Sequence, residues 1–235
     1  YVTALIFVIC CIYVGRGYTF DGYTHIASTK AEYPEMQIIT ENYDAALKNI
    51  NENKWSRLSI QERIDTLQSI CDYECAYTFG CHTAAVQTGY PGSEYLLGNY
   101  CTIPNTILIN AEYLETESAH NLVETLLHET RHVYQNSIID MYNNVEDVLS
   151  EDELRLSVFR YAAAMRDNSD NYKSFGNEYY TQTMEEDSRS WAEEQMLAKY
   201  DKYIYGEKSS DNSEDFLSFK ILQNNLKAYF HAGRQ

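Results

Sequence analysis

Leu126-Leu127-His128-Glu129-Thr130-Arg131-His132-Val133-Tyr134-Gln135 is the stretch on which the reading of this chain turns. On an α-helix, residues four apart share a face, so His128 and His132 can present both imidazoles to one ion. Glu129 between them is turned aside, where it can act on a water at that ion instead of filling a coordination position. A loop would not give this geometry, so the flanks must supply a helix. They do: Ala119, Leu122, Val123, Leu126, Leu127, Thr130, Val133 and Tyr134 follow i, i+3, i+4 spacing. Thr116 or Ser118 can cap the N-terminus, with Glu117 favourable in the first turn. At about 100° per residue the apolar stripe lies on one side and the two histidines nearly opposite, with Glu129 beside them. Such a helix packs on a core with its back and lines a cleft with its front.

Two histidines do not complete a catalytic zinc site, which usually has three protein ligands and a water. In the extended pattern H-E-x-x-H-x-x-G-x-x-H, the last two defining positions are Gly and His; here they are Gln135 and Ile138. The third ligand must therefore come from farther along. The best segment is Met184-Glu185-Glu186-Asp187-Ser188-Arg189-Ser190-Trp191-Ala192, on a helix expected from about 182 to 203. That helix places Met184, Ser188, Trp191, Gln195 and Ala198 on its packing face. Glu185 and Asp187 flank the face on opposite sides, and Glu186 points away. Glu185 and Asp187 both stand as third-ligand candidates, the other being free to orient a ligand histidine through a hydrogen bond. The plainer alternative is an exposed acidic run in which Glu185 bridges Arg189 at i, i+4.

Three pieces taken together carry a family resemblance: Ile107-Leu108-Ile109-Asn110, then Leu126 to Gln135, then Glu185-x-Asp187-Ser188-x-x-Trp191-Ala192. The chain resembles the zincin-like zinc metallopeptidases of the gluzincin type, thermolysin-like at the site, over roughly 59–198. The resemblance implies a short strand before the histidine helix, a zinc ion at His128, His132 and Glu185, and Glu129 as the general base of peptide-bond hydrolysis. This chain departs from the pattern with Ser188 where alanine is more usual, and with a long acidic insertion between the motifs. A peptide or protein substrate is expected to add to the edge of Thr106–Asn110 by backbone pairing. Tyr134, Tyr179, Tyr180 and His120 are the candidates for a donor to the oxyanion. The rival expectation is a noncatalytic, zinc-stabilised binding module at the cell surface.

Composition narrows the partners. Lysine and arginine total 18 against 35 aspartates and glutamates, for a net charge of −17. An acidic surface repels phosphate backbones, which argues against nucleic acid. The 22 tyrosines suit wet interfaces but name no function. Tyr1 to Val14 is almost uninterruptedly apolar, yet shorter than the ~20 residues that cross a bilayer. It reads as a truncated membrane anchor or signal peptide, and points to an extracytoplasmic protein, anchored or secreted. Cys71, Cys75, Cys81 and Cys101 are expected to pair across the helix and loop, Cys71 or Cys75 with Cys81 or Cys101. A thiolate zinc site with His82 is one alternative, and four reduced, buried cysteines, expected if the protein is cytosolic, are another.

The rest of the chain follows from periodicity and punctuation. Residues 15–37 read as a linker, and Ile39, Tyr43, Ala46, Leu47 and Ile50 as a helical stripe. Ser59 and Glu62 form a capping box, opening a helix with Ile60, Ile64, Leu67, Cys71 and Cys75 on one face. Glycines and proline between Gly80 and Gly98 cut turns and short strands, and Thr106–Asn110 is a β-type run. A polar linker and an amphipathic helix fill 206–235, leaving 38–205 as the domain. The expected fold is α+β, mainly helical, with a small sheet beside the histidine helix.

Overall fold

The computed structural model describes residues 34–174 and 176–206. The apolar segment 1–14, most of the expected linker, and the expected C-terminal helix lie outside the described residues. Helices dominate, with one three-stranded sheet, as the sequence implies. In chain order they are α1 (Pro34–Asn49), α2 (Glu52–Trp55) and α3 (Ile60–Tyr73), the last running into a π-helical turn at Glu74–Phe79. Then come β1 (Ala85–Gly89), β2 (Gly98–Cys101), β3 (Thr106–Asn110), α4 (Ala111–Thr116) and α5 (Ala119–Val145). Beyond α5 are α6 (Glu151–Leu154), α7 (Ser157–Asp170), α8 (Asn177–Thr181) and α9 (Thr183–Gln195). A second π-helical turn, Met196–Tyr200, leads into α10 (Asp201–Tyr205). Helix α1 thus reaches into the expected linker 15–37, where Glu35, Met36 and Gln37 are all good helix formers.

Local chemistry sets the helix starts. Ser59 accepts the Glu62 N–H through its hydroxyl, and its own N–H donates to the Glu62 carboxylate at 2.8 Å, so the expected capping box closes. Leu67, Cys71 and Cys75 on that helix are buried, but Ile60 is 45% exposed, because the first turn overhangs the core. For α5 the cap is Ser118, whose hydroxyl accepts from Asn121 N–H at 3.2 Å. The helix has 27 residues and so runs about 40 Å. Its stripe is buried as its spacing requires: Ala119, Leu122, Val123, Leu126, Leu127, Thr130 and Val133 all lie in the interior.

The sheet corrects one expectation. Its order is β1-β3-β2, with β1 parallel and β2 antiparallel to β3. Thr106–Asn110 is therefore the central strand and has no free edge for a peptide. Its burial explains this: Thr106, Ile107, Ile109 and Asn110 are all interior, which suits a strand covered on both sides. The strand facing the histidine helix is β2.

The cysteine expectation also fails. Cys71, Cys75, Cys81 and Cys101 are free thiols, the first three buried. Cys71 and Cys75 sulfurs lie 4.0 Å apart, and Cys71 donates to the Ala84 carbonyl. They act as small apolar packing groups. Among the described residues, the one group of three or more side chains gathered closely enough for a metal contains no thiol.

Buried polar contacts lock the two π-helical turns together. Glu74 is fully buried and takes bonds from Lys199 Nζ at 2.6 Å, from Thr78 and from the Tyr200 hydroxyl. Lys199 also lies over the Tyr73 ring at 4.5 Å. Among the described residues, no helix is long and apolar enough to cross a membrane.

Gly98 marks where β2 meets α5. A Cβ there would stand 2.8 Å from Thr125 Cγ2 and 3.2 Å from the Leu108 carbonyl oxygen. Gly98→Val is expected to push β2 off the helix and to cost about 1–3 kcal/mol, read as a lower urea midpoint with an unchanged slope. Wild-type stability in that variant would contradict this packing.

Candidate metal centre

Helices α5 and α9 pack against each other along the site. On α5, His128 and His132 project from adjacent turns, with Nε2 atoms 3.1 Å apart. From α9, Glu185 enters with 0% exposure; its Oε2 lies 3.2 Å from His128 Nε2 and its Oε1 3.2 Å from His132 Nε2. These three residues form a group that could hold a metal ion. The test of fit is the spacing of these atoms. Ligands ~2.0–2.1 Å from a tetrahedral zinc stand about 3.3 Å apart; here the two Nε2 atoms are 3.1 Å apart and each lies 3.2 Å from a different oxygen of the Glu185 carboxylate, and one ligand atom from each residue lies within 4.8 Å of the others. A second observation agrees: Glu185 Oε2 is buried without a hydrogen-bond partner, a condition a cation would relieve.

The alternatives for the third position separate cleanly. Glu185 is not part of an exposed acidic run, and its i, i+4 approach to Arg189 is a long 3.7 Å. Asp187 faces the same helix but turns to Arg131, accepting from Nε at 2.8 Å and Nη2 at 3.0 Å. It also accepts from the Tyr161 hydroxyl at 2.7 Å and from Gln135 Nε2 at 2.8 Å. Gln135 then meets His132: its Oε1 lies 2.7 Å from Nδ1. Ser188 Oγ, at the position where the resemblance has alanine, lies 3.3 Å from the same nitrogen.

Glu129 stands apart from the triangle. It is 8% exposed, and its Oε2 accepts the Tyr100 N–H of β2 at 2.8 Å. The histidines are less open than a helix front lining a cleft implies, with side chains only 16% and 12% exposed. The cause is the cover that α9 and the tyrosines lay over them.

Those tyrosines revise the search for a donor. Tyr172, in the loop after α7, gives its hydroxyl hydrogen to Glu185 Oε1 at 2.6 Å. Tyr179 of α8 packs edge-on to it, with centroids 6.2 Å apart, and lies close enough to Glu185 to feel its charge. Of the four candidates, only Tyr179 is at the centre. Tyr134 stacks on Phe79, Tyr180 is 61% exposed beneath Arg189, and His120 sits two turns back against Asp201. Tyr172 and Gln135 were missed in the sequence. Gln135 carried a signal, being three residues after His132 and seven after His128, on their face.

Charge at the centre is strongly coupled. Burial would raise the Glu185 carboxyl, but the imidazoles of His128 and His132 and the Tyr172 hydroxyl hold it well below the usual carboxylate range. Burial disfavours the His132 cation, yet Glu185 and Glu129 raise its pKa. Burial, then the Glu185 carboxylate, push the Tyr172 and Tyr179 hydroxyls far up, so both stay protonated. Comparison of the chain with protein families, with curated proteins and with solved structures finds no match.

Asp187 gives a pH test free of the ligands. Burial works to raise its carboxyl, but Arg131, Tyr161 and Gln135 prevail and lower it. A depressed folded pKa adds stability that is present above the unfolded value of ~3.9 and is lost as pH falls through the folded one. The stability gap between the metal-free parent and Asp187→Asn should therefore be largest near neutrality and shrink on acidification below about pH 4. Urea melts from neutral to acid pH measure it; a gap independent of pH would contradict the assignment.

Proposed function

We propose that this chain is a zinc-dependent metallopeptidase in which His128, His132 and Glu185 hold the metal and Glu129 is the general base. One observation carries the reading. Three ligand groups converge within 4.8 Å of one another while the neighbouring carboxylate, Glu129, is held out of the group by a backbone N–H. A purely structural zinc is closed by four protein ligands and has no use for a base beside it. Three ligands and a separate carboxylate suit hydrolysis.

When bound, zinc supplies Lewis acidity, drawing the pKa of a water toward ~7 and polarising a carbonyl. The remaining work falls to the chain. Tyr100 N–H anchors Glu129 Oε2, leaving Oε1 to receive a proton and to return it to the departing amine. Tyr179, kept protonated beside the centre, is suited to donate to oxygen charge that develops on the scissile carbonyl, whereas the single hydrogen of Tyr172 already goes to Glu185 Oε1. The choice of a peptide substrate rests on the resemblance to the gluzincins. The apolar segment 1–14 supports an extracytoplasmic setting, anchored or secreted.

The test is cleavage of an unfolded casein-like substrate by the purified chain. Activity should vanish with a chelator and return with zinc. Glu129→Gln should lose roughly 100-fold or more in turnover while still binding one equivalent of zinc. A pure Glu129→Gln protein that cleaves as fast as the parent would overturn the role of the base. Tyr179→Phe should bind zinc normally and, as loss of the oxyanion donor, should cost about 100-fold in kcat. An unchanged kcat would place the donor elsewhere.

A further inference from the structure

We infer that Gln135 is a positioning residue that sets the tautomer and ring orientation of His132, and that Asp187 and the Met184 carbonyl together dictate which way Gln135 faces. The inference rests on the metal-centre reading above. Gln135 is fully buried, so its amide answers to protein partners. On one side it meets the Met184 carbonyl oxygen at 3.1 Å and Asp187 Oδ2 at 2.8 Å. A carbonyl and a carboxylate can only accept. The NH2 end of the amide must therefore face them, and Oε1 must face His132 Nδ1 at 2.7 Å. That oxygen in turn can only accept, so Nδ1 carries the hydrogen and Nε2 keeps its lone pair for the centre. Ser188 Oγ can donate or accept and so does not decide the matter.

The pivot is Asp187, and its surroundings keep it an acceptor. Arg131 binds both of its oxygens, and Tyr161 donates to one. Arg131 is itself fixed among the rings of Phe79, Tyr134, Tyr161 and Trp191, at 4.9 to 5.8 Å from their centroids. If Asp187 became an amide, the bonds it accepts from Arg131, Tyr161 and Gln135 could not all form, and the Gln135 NH2 would be held less firmly, with the Met184 carbonyl as its remaining fixed acceptor. A Gln135 amide turned over would point its N–H at His132 Nδ1 and favour the hydrogen on Nε2, the tautomer that cannot bind a metal there. A neutral amide thus stands between the ligand histidine and the carboxylate that usually orients such a ring directly.

The experiment uses zinc alone as the probe, on the full chain and on two variants, Gln135→Met and Asp187→Asn. Zinc affinity is read by competition with a chromophoric chelator, and the His132 ring by proton–nitrogen NMR of the zinc-loaded protein. The parent should bind one zinc and show a slowly exchanging His132 Nδ1–H. Each variant should bind zinc 10- to 100-fold more weakly, and Gln135→Met should lose the slow exchange. A merely structural role would lower the melting temperature and move neither readout. If Gln135→Met does not fold, the isosteric Asp187→Asn carries the affinity test. Affinities within twofold of a zinc-binding parent overturn this inference alone, whereas a parent that binds no zinc overturns the metal-centre reading and this inference with it.

Discussion

A carboxylate with no exposure, pressed between two helices, is the constraint around which this molecule is arranged. Glu185 brings a negative charge into the α5–α9 seam. Such a charge is costly in an interior unless neighbours compensate it. The neighbours are two imidazoles and the Tyr172 hydroxyl, at 3.2, 3.2 and 2.6 Å. The two Nε2 atoms lie 3.1 Å apart, and Glu185 Oε2 is buried with no hydrogen-bond partner. Three such groups gathered in one seam could hold a cation.

The charge of Arg131 is half-buried for a related reason. It lies one residue before His132, on the flank of α5 facing α9, and no surface reading of the sequence explains it. Its two bonds to Asp187 use the planar fork that distinguishes arginine from lysine. The surrounding rings accept its face. Phe79, at the end of the first π-helical turn, supplies one ring and Trp191 of α9 another. The α3 end, the histidine helix and α9 are thereby clamped to a single side chain. Buried polar networks of this kind specify one arrangement only when every member is satisfied.

What was legible in the chain was whatever depends on short-range spacing. Helix α5, its Ser118 cap, the Ser59–Glu62 box, the strand at Thr106–Asn110 and the His128–Glu129–His132 face all follow from neighbours within one or two turns. Glu185 was narrowed to two candidates by helical phase, because phase says which side chains reach a seam. It does not say which one meets a histidine; that depends on the sliding register of α9 on α5. The same limit hid Tyr172, brought in by a loop whose path follows α7. Strand order was illegible too. Nothing local to Thr106–Asn110 says that β1 and β2 pair on both its sides, and that pairing removed the expected substrate edge. The thiols show the converse: even numbers suggested bridges, and burial made them packing groups.

The strand that does face the site has its own restriction. Leu97 accepts from Asn110 N–H, and Asn99 pairs opposite Leu108. Antiparallel partners alternate, so Gly98 and Tyr100 turn their backbone groups away from β3. The Tyr100 N–H is already committed to Glu129. This one bond covers part of an otherwise exposed edge and holds Glu129 against the sheet. Gly98, the residue whose missing side chain lets the strand approach α5, therefore bears on the placement of Glu129 without touching any of the three gathered side chains.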